Sequence, residues 1–217
     1  MQFLNRRDAG RQLAIKLMDY AADPGVLVLG LPRGGVPVAY EVARALHAPL
    51  DVFVVRKLGV PGHRELAMGA IASGGTRVLN VDVIEALGIV PAAVESVAAG
   101  ELLELERQQR TYRGNAPLLE LTGRTIIVVD DGLATGSTMR AAVGALRRSN
   151  PARILVAVPV AAAETVHRLR EEADSVVCLS APPEFHAVST WYGDFSQTSD
   201  EEVRTLLEAA SQAAFSL

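Results

Sequence analysis

The residues best suited to chemistry are two adjacent carboxylates followed by small and hydroxylated residues: Ile126-Ile127-Val128-Val129-Asp130-Asp131-Gly132-Leu133-Ala134-Thr135-Gly136-Ser137-Thr138-Met139. An apolar strand that ends in acids and leads through a short loop into a helix brings two kinds of group together. The amides of Thr135 to Thr138 converge at a helix amino terminus, where unpaired N–H donors and the dipole favour a phosphate. The hydroxyls of Thr135, Ser137 and Thr138 add donors. Ionised Asp130 and Asp131 only accept, so they suit a diol or a magnesium ion rather than the phosphate itself. A phosphorylated sugar with free hydroxyls satisfies both halves. Taken singly, the acids read as a solvated strand end and Thr135 as a helix cap; their conjunction favours a ligand site. Other phosphate motifs are absent: no lysine follows Gly136 as GxxxxGK[ST] requires, and no GxGxxG follows Val26 to Leu29.

Two further segments carry candidate anion ligands. Gly30-Leu31-Pro32-Arg33-Gly34-Gly35-Val36-Pro37 follows an apolar run and precedes a helix-periodic one. Its glycines let backbone amides approach an oxyanion closely, although the same pattern serves as a tight strand-to-helix turn. Val55-Arg56-Lys57-Leu58-Gly59-Val60-Pro61-Gly62-His63-Arg64-Glu65 gathers cations on a chain whose formal net charge is −4. It reads as a loop following a strand end.

The elements that must position these groups follow from periodicity. Short apolar runs at Val26 to Leu29, Asp51 to Val55, Thr125 to Val129, Ile154 to Val158 and Ser175 to Leu179 predict strands covered on both faces. Helical patterns at Val38 to Leu46, Thr138 to Arg148 and Ala162 to Glu172 lie between them. The alternation predicts an α/β fold, an open, doubly wound, mostly parallel sheet whose ligands bind beyond the carboxyl ends of the strands. Residues 5–20 read as an opening amphipathic helix with Leu13, Leu17 and Met18 on one side. Residues 81–113 hold two helices parted near Pro91, the second a Glu/Arg-rich one that packs on a sheet edge or a second subunit. Asp200-Glu201-Glu202 predicts the start of a last helix. No repeat or linker interrupts the chain, so a single domain over residues 1–217 is expected.

Composition narrows the function classes. The chain is 49% hydrophobic and 21% charged, which excludes disorder. Lys+Arg 21 against Asp+Glu 25 provides no general basic surface for nucleic acid or acidic membrane, so any anion site is local. The polar start Met1 to Asp8, the single Cys178 and the lack of a membrane-length apolar run predict a cytoplasmic protein.

The 126–139 run resembles the phosphoribosyl diphosphate (PRPP) signature of type I phosphoribosyltransferases, and the motif order over about residues 25–180 is similar to that family's core. The resemblance implies a PRPP-dependent pentosyltransferase that moves 5-phosphoribosyl to a nitrogen acceptor, a nucleobase, and releases pyrophosphate. By it, Asp130 and Asp131 hold the ribose hydroxyls, reaching Mg2+ only through PRPP or water, and Ala134, Thr135, Gly136, Ser137 and Thr138 hold the 5′-phosphate. Arg33, Gly34 and Gly35 fall in the pyrophosphate loop, where a cis peptide is expected. Arg56 and Lys57 correspond to the mobile loop of adenine and orotate enzymes and neutralise pyrophosphate, with His63 or Arg64 reaching the leaving group on closure. Ala134 stands where hypoxanthine–guanine enzymes carry a further acid, which argues against a 6-oxopurine handled in that way. A homodimer is also implied.

Remaining residues read more plainly. His47, His167 and His186 are surface residues, Cys178 is an inert core thiol, and Glu101, Glu104, Glu106, Arg107 and Arg110 form a solvated helix face. Phe185, Trp191, Tyr192 and Phe195 are either core or a hood that stacks on the acceptor. The competing functions are a PRPP-sensing regulator without transferase activity and a phosphosugar-binding hydrolase. Aspartates buried in ion pairs, or a phosphate cradle turned from any cleft, would count against a sugar-phosphate site.

Overall fold

The computed structural model describes residues 2–114, 116 and 120–214. Strands β1 (Val26–Gly30), β2 (Leu50–Val52), β6 (Thr125–Val129), β7 (Arg153–Val160) and β8 (Ser175–Ser180) form a five-stranded sheet in the order β2-β1-β6-β7-β8, all neighbours parallel. Helices α1 (Arg6–Ile15) and α2 (Gly35–Leu46) cover one face, and α5 (Ser137–Arg147) and α6 (Ala163–Glu172) the other. Side chains alternate across each strand, so Leu27, Leu29, Ile126 and Val128 meet α5 while Val26, Val28, Ile127 and Val129 meet α1 and α2. Both faces are apolar, and the uninterrupted apolar runs in the sequence follow from that. The edge strand β8 is the exception, being half-buried along its length, and Cys178 lies there rather than in the closed core.

A second sheet departs from the expected pattern. The run Asp51 to Val55 is divided between β2 and β3 (Val55–Val60), and β3 pairs antiparallel with β4 (His63–Ala72), which pairs with β5 (Arg77–Leu79). The cation-rich segment read as a loop is therefore a hairpin turning at Pro61-Gly62, where Gly62 has φ +80°. Helices α3 (Val81–Ala86) and α4 (Pro91–Arg113) are parted as predicted, with Pro91 opening α4. Leu58, Val60, Met68 and Ile71 of the hairpin bury against Val94, Ala98 and Leu105 of α4 and Val203 and Leu206 of α7 (Asp200–Ala214). At the amino terminus α1 ends at Ile15, before a short 3₁₀ turn over Met18–Tyr20. Leu13 and Leu17 are buried, whereas Met18 is exposed, because the chain leaves the helical phase before reaching it.

The segment between β8 and α7 returns to residues near the amino terminus. Phe3 N–H donates to Trp191 O at 2.7 Å, Gly193 N–H to Phe3 O at 2.7 Å, and Asp194 N–H to Leu4 O at 2.9 Å. Phe3 is fully buried against Tyr192, Phe185 and Trp191. Replacing Phe3 by Ala is expected to lower unfolding stability by about 3–5 kcal/mol in denaturant titration, since a buried aromatic leaves a large cavity.

Candidate active site

β1 and β6 are adjacent in the sheet, and the chain departs from them in opposite directions, towards β2 on one side and β7 and β8 on the other. Such a switch point opens a crevice at the carboxyl ends of the strands. The two loops of interest leave from there, residues 31–34 after β1 and residues 130–136 after β6. Leu31 N–H donates to Val129 O at 2.9 Å, which ties the first loop to the second.

Contact between the loops is close enough to dictate glycine. A Cβ on Gly34 would lie 2.1 Å from Asp131 Oδ2, and one on Gly35 would lie 2.7 Å from Val129 O and 2.9 Å from Asp130 Cα. The expected cis peptide is present, at Pro32-Arg33. The amides are used differently from the expectation: Gly35 N–H donates to Leu31 O at 3.0 Å and Val36 N–H to Arg33 O at 3.1 Å. These two donors are therefore engaged within the turn, and what the glycines provide is the approach to the acidic pair.

Gly136 starts the phosphate cradle. Its φ of +69° is left-handed, and a Cβ there would strike Thr165 Cγ2 at 2.5 Å. The N-cap of α5 is Gly136, which has no side chain; Ser137 N–H donates to Thr135 Oγ1 at 3.5 Å, and the first internal bond runs from Arg140 N–H to Gly136 O at 2.9 Å. The helix end thus presents amides and dipole without a built-in anion. Thr135, Ser137 and Thr138 are exposed, with Thr135 Oγ1 and Ser137 Oγ 3.1 Å apart. Ala134 is fixed from behind by Thr165 Oγ1, which donates to its carbonyl. Ser137 and Thr138 line a cleft of about 760 Å³ together with Lys57, Ala70, Arg140 and Gly144.

The two acids differ. Asp130 Oδ1 accepts from Asp131 N–H at 2.9 Å, while Asp131 Oδ2 accepts from Arg6 Nε at 2.8 Å. Asp131 is thus drawn into a largely buried ion pair, one of the two arrangements that count against a sugar-phosphate site, whereas Asp130 accepts from the Asp131 amide. Burial, and then the charge of Asp131, holds the Asp130 carboxyl well above the ordinary carboxylate range. Burial also raises Asp131, with the Arg6 hydrogen bond and charge pulling the other way. Arg6 escaped the sequence reading because nothing local marks it: its partner is 125 positions away.

The cations are divided. On β3, successive residues face opposite sides. Arg56 turns to α4, where its Nε donates to Glu101 Oε2 at 2.7 Å, whereas Lys57 lies on the side of the cleft at the α5 terminus. The pairing of Arg56 with Lys57 in one anion site is corrected accordingly, and Glu101 on the Glu/Arg-rich face of α4 is the ion-pair partner of Arg56. Arg33 Nη1 stands 3.7 Å from Asp200 Oδ1, at the start of α7. His63 is exposed beside the hairpin turn, and the side chain of Arg64 lies outside the described ones. Of the aromatic residues, Tyr192 and Phe195 are committed to core contacts, with Tyr192 against Phe3 at 5.4 Å and Phe195 against Tyr192 at 5.0 Å and Arg6 at 4.0 Å.

A divalent cation fits only on stated terms. Among the described residues, no group of three or more His, Cys, Asp or Glu side chains is placed to hold a metal. Asp130 and Asp131 suit magnesium indirectly, through water or the hydroxyls of a ligand that brings oxygens of its own.

A family model described as a phosphoribosyl transferase domain matches residues 2–193. The chain belongs to this family. The phosphoribosyl transferase relatives include "Putative phosphoribosyl transferase Rv0571c" of Mycobacterium tuberculosis, 49% identical over 96% of this chain and 47% of that protein. The chain thus spans about half the length of that relative. "Bifunctional protein PyrR" of Chloroflexus aurantiacus is 31% identical over 58% of this chain and 65% of that protein. Among solved structures, TT1426 from Thermus thermophilus superposes with a TM-score of 0.86 at 43% identity, covering 95% of this chain and 98% of that one. Among the described residues no helix is long and apolar enough to cross a membrane.

The acidic pair also makes a stability prediction. A carboxyl whose folded pKa is raised binds more protons in the native than in the unfolded chain, so its ionisation opposes folding as pH rises through the folded value. Asp130→Asn removes that opposition and retains an acceptor for Asp131 N–H. The variant is expected to melt above the parent at pH 7, and the gap is expected to close as pH falls towards the ordinary carboxylate range. Asp131→Asn is expected to gain less, because it strands Arg6. Calorimetric scans across pH check both.

Proposed function

We propose that this protein transfers the 5-phosphoribosyl group of PRPP to a nitrogen nucleophile, a nucleobase, and releases pyrophosphate. One observation carries the reading: the turn after β1 rests directly on the acidic pair after β6, and the same β6–α5 connection that carries this pair runs on into the amino terminus of α5. A sugar bearing a phosphate at one end and a diphosphate at the other has the matching arrangement of groups.

In this mechanism the C1–O bond breaks as the acceptor nitrogen bonds to C1, with positive charge building on the ribose and negative charge on the departing pyrophosphate. Asp130 and Asp131 hold the two ring hydroxyls and lie beside the developing cation. The amides and hydroxyls of Thr135 to Thr138, with Ala134 and Gly136 shaping the loop, fix the 5′-phosphate. Asp130 and Asp131 would meet a magnesium ion only through water or the donor's hydroxyls, and such an ion would supply charge neutralisation of the leaving group. Arg33 and Lys57 attract the pyrophosphate, while Arg56 stays paired with Glu101 on the opposite side of β3. His63 and Arg64 sit at the hairpin turn, whose approach would exclude water from the cation. Catalysis then rests on positioning and electrostatics. The partners of this reading are PRPP, a small acceptor and a second copy of the chain.

Calorimetric titration with magnesium and PRPP tests the assignment. Asp130→Asn and Asp131→Asn should each weaken binding at least tenfold while the chain stays folded, and undiminished affinity in both would remove these residues from the sugar site. Gly34→Ala should weaken binding similarly, because its methyl displaces the Asp131 carboxylate. For the reaction itself, pyrophosphate release should depend on an added nucleobase. Release without a base would point to a hydrolase, and PRPP-dependent gel shifts without turnover would point to a regulator.

A further inference from the structure

Arg6 belongs to no sequence motif, yet it lies at the centre of the acidic site. Its Nε donates to Asp131 Oδ2 at 2.8 Å, its Nη1 donates to Ser196 O at 2.6 Å, and its guanidinium carbon stands 4.0 Å from the Phe195 ring centroid. The side chain is only 12% exposed. An arginine that merely neutralised a surface neighbour would keep its head in water. This one is held by a carboxylate, a carbonyl and an aromatic face drawn from two distant parts of the chain, and its planar fork fixes the direction of each bond.

Asp131 is gripped at its other end as well, because the Tyr192 hydroxyl donates to the Asp131 carbonyl. The next residue is closed in: a Cβ on Gly132 would lie 2.5 Å from Val188 Cγ1. Residues 3–6 and 188–196, joined by their own backbone bonds, therefore form a clasp around positions 131 and 132, with Arg6 as its charged member. Gly34 lies on the opposite side, its missing Cβ 3.2 Å from Arg6 Nε.

We infer that Arg6 is a positioning residue: by holding Asp131 Oδ2 it fixes how that carboxylate presents its remaining lone pairs to the ring hydroxyls of a ribose 5-phosphate unit. The inference deepens the proposed function and rests on it. A carboxylate has about four acceptor positions, so one N–H on Oδ2 leaves room for hydroxyls. Without Arg6, nothing from Gly34 would stop the side chain from rotating away from Asp130.

Isothermal titration of the full chain with ribose 5-phosphate and, separately, with inorganic phosphate tests this. The proteins compared are the parent, Arg6→Met, Arg6→Lys, Asp131→Asn and the two Arg6 changes combined with Asp131→Asn. Arg6→Met should weaken ribose 5-phosphate about tenfold, the scale of a charge-assisted hydrogen bond. Inorganic phosphate, which needs only the cradle, should change less than twofold. Arg6→Lys should recover part of the loss, since it restores charge without the fork. In the Asp131→Asn background the extra loss from Arg6→Met should fall below twofold, because the two act as one unit. If Arg6→Met does not fold, Arg6→Lys in the same two backgrounds carries the comparison. Equal weakening of both ligands in both backgrounds, no weakening, or tighter binding of ribose 5-phosphate would overturn the role of Arg6 and leave the functional reading intact. A parent chain that binds ribose 5-phosphate no better than inorganic phosphate would overturn both.

Discussion

The backbone of the Gly34-Gly35 turn lies against Asp130 and Asp131 with no room for a methyl group on either glycine. That contact requires β1 and β6 to end level, which their register achieves by pairing Gly30 with Val129. It also requires α2 to start immediately, so that Gly35 is already helical while its Cα faces the end of β6. The rest of the main sheet serves this juxtaposition. Apolar residues alternate between two helical layers, and both faces are closed.

Adjacent carboxylates withdrawn from water oppose folding, and a core chosen for stability alone would not contain them. One arginine reaches Asp131, and Asp130 has the Asp131 amide as its hydrogen-bond donor. A structural role would call for a cation at each acid. The asymmetry instead leaves acceptor capacity directed at the crevice, as a site for hydroxyl groups requires. The α5 end complements it with amide donors, of which Ser137 N–H makes a long 3.5 Å bond to Thr135 Oγ1. The crevice is thus rich in acceptors on one side and donors on the other, and both sides come from nine consecutive residues of one loop.

Much of this was legible in the chain because it is local. Four of the five main strands, the start of α5, the glycines of the first turn and the division of α3 from α4 at Pro91 all leave period or composition signals within a few residues. What could not be read is of another kind. Whether Arg56 and Lys57 act together depends on strand or loop, and Leu58, Gly59 and Val60 fit either; once β3 forms, its alternation sends the pair to opposite faces. Asp51 to Val55 reads as one strand because nothing local shows that β2 ends at Val52 and a different sheet begins at Val55. Arg6, Tyr192 and Gly132 form a unit only through contacts that span most of the chain.

The ion pairs made by the site's arginines also differ in how easily a ligand can replace them. Arg33 meets Asp200 at 3.7 Å with side chains 38% and 44% exposed, and Arg56 meets Glu101 with 31% and 29% exposed. Pairs this open contribute about 0–1 kcal/mol, so either arginine can leave its partner at little cost to the fold. The Arg6–Asp131 pair, with side chains 12% and 14% exposed, is withdrawn from water and braced by Phe195 and Ser196. Breaking it would strand a buried charge. Open, weakly held arginine pairs and one braced, withdrawn pair thus stand at different distances from the acidic doublet, and the proposed function uses the braced one to hold Asp131 in place.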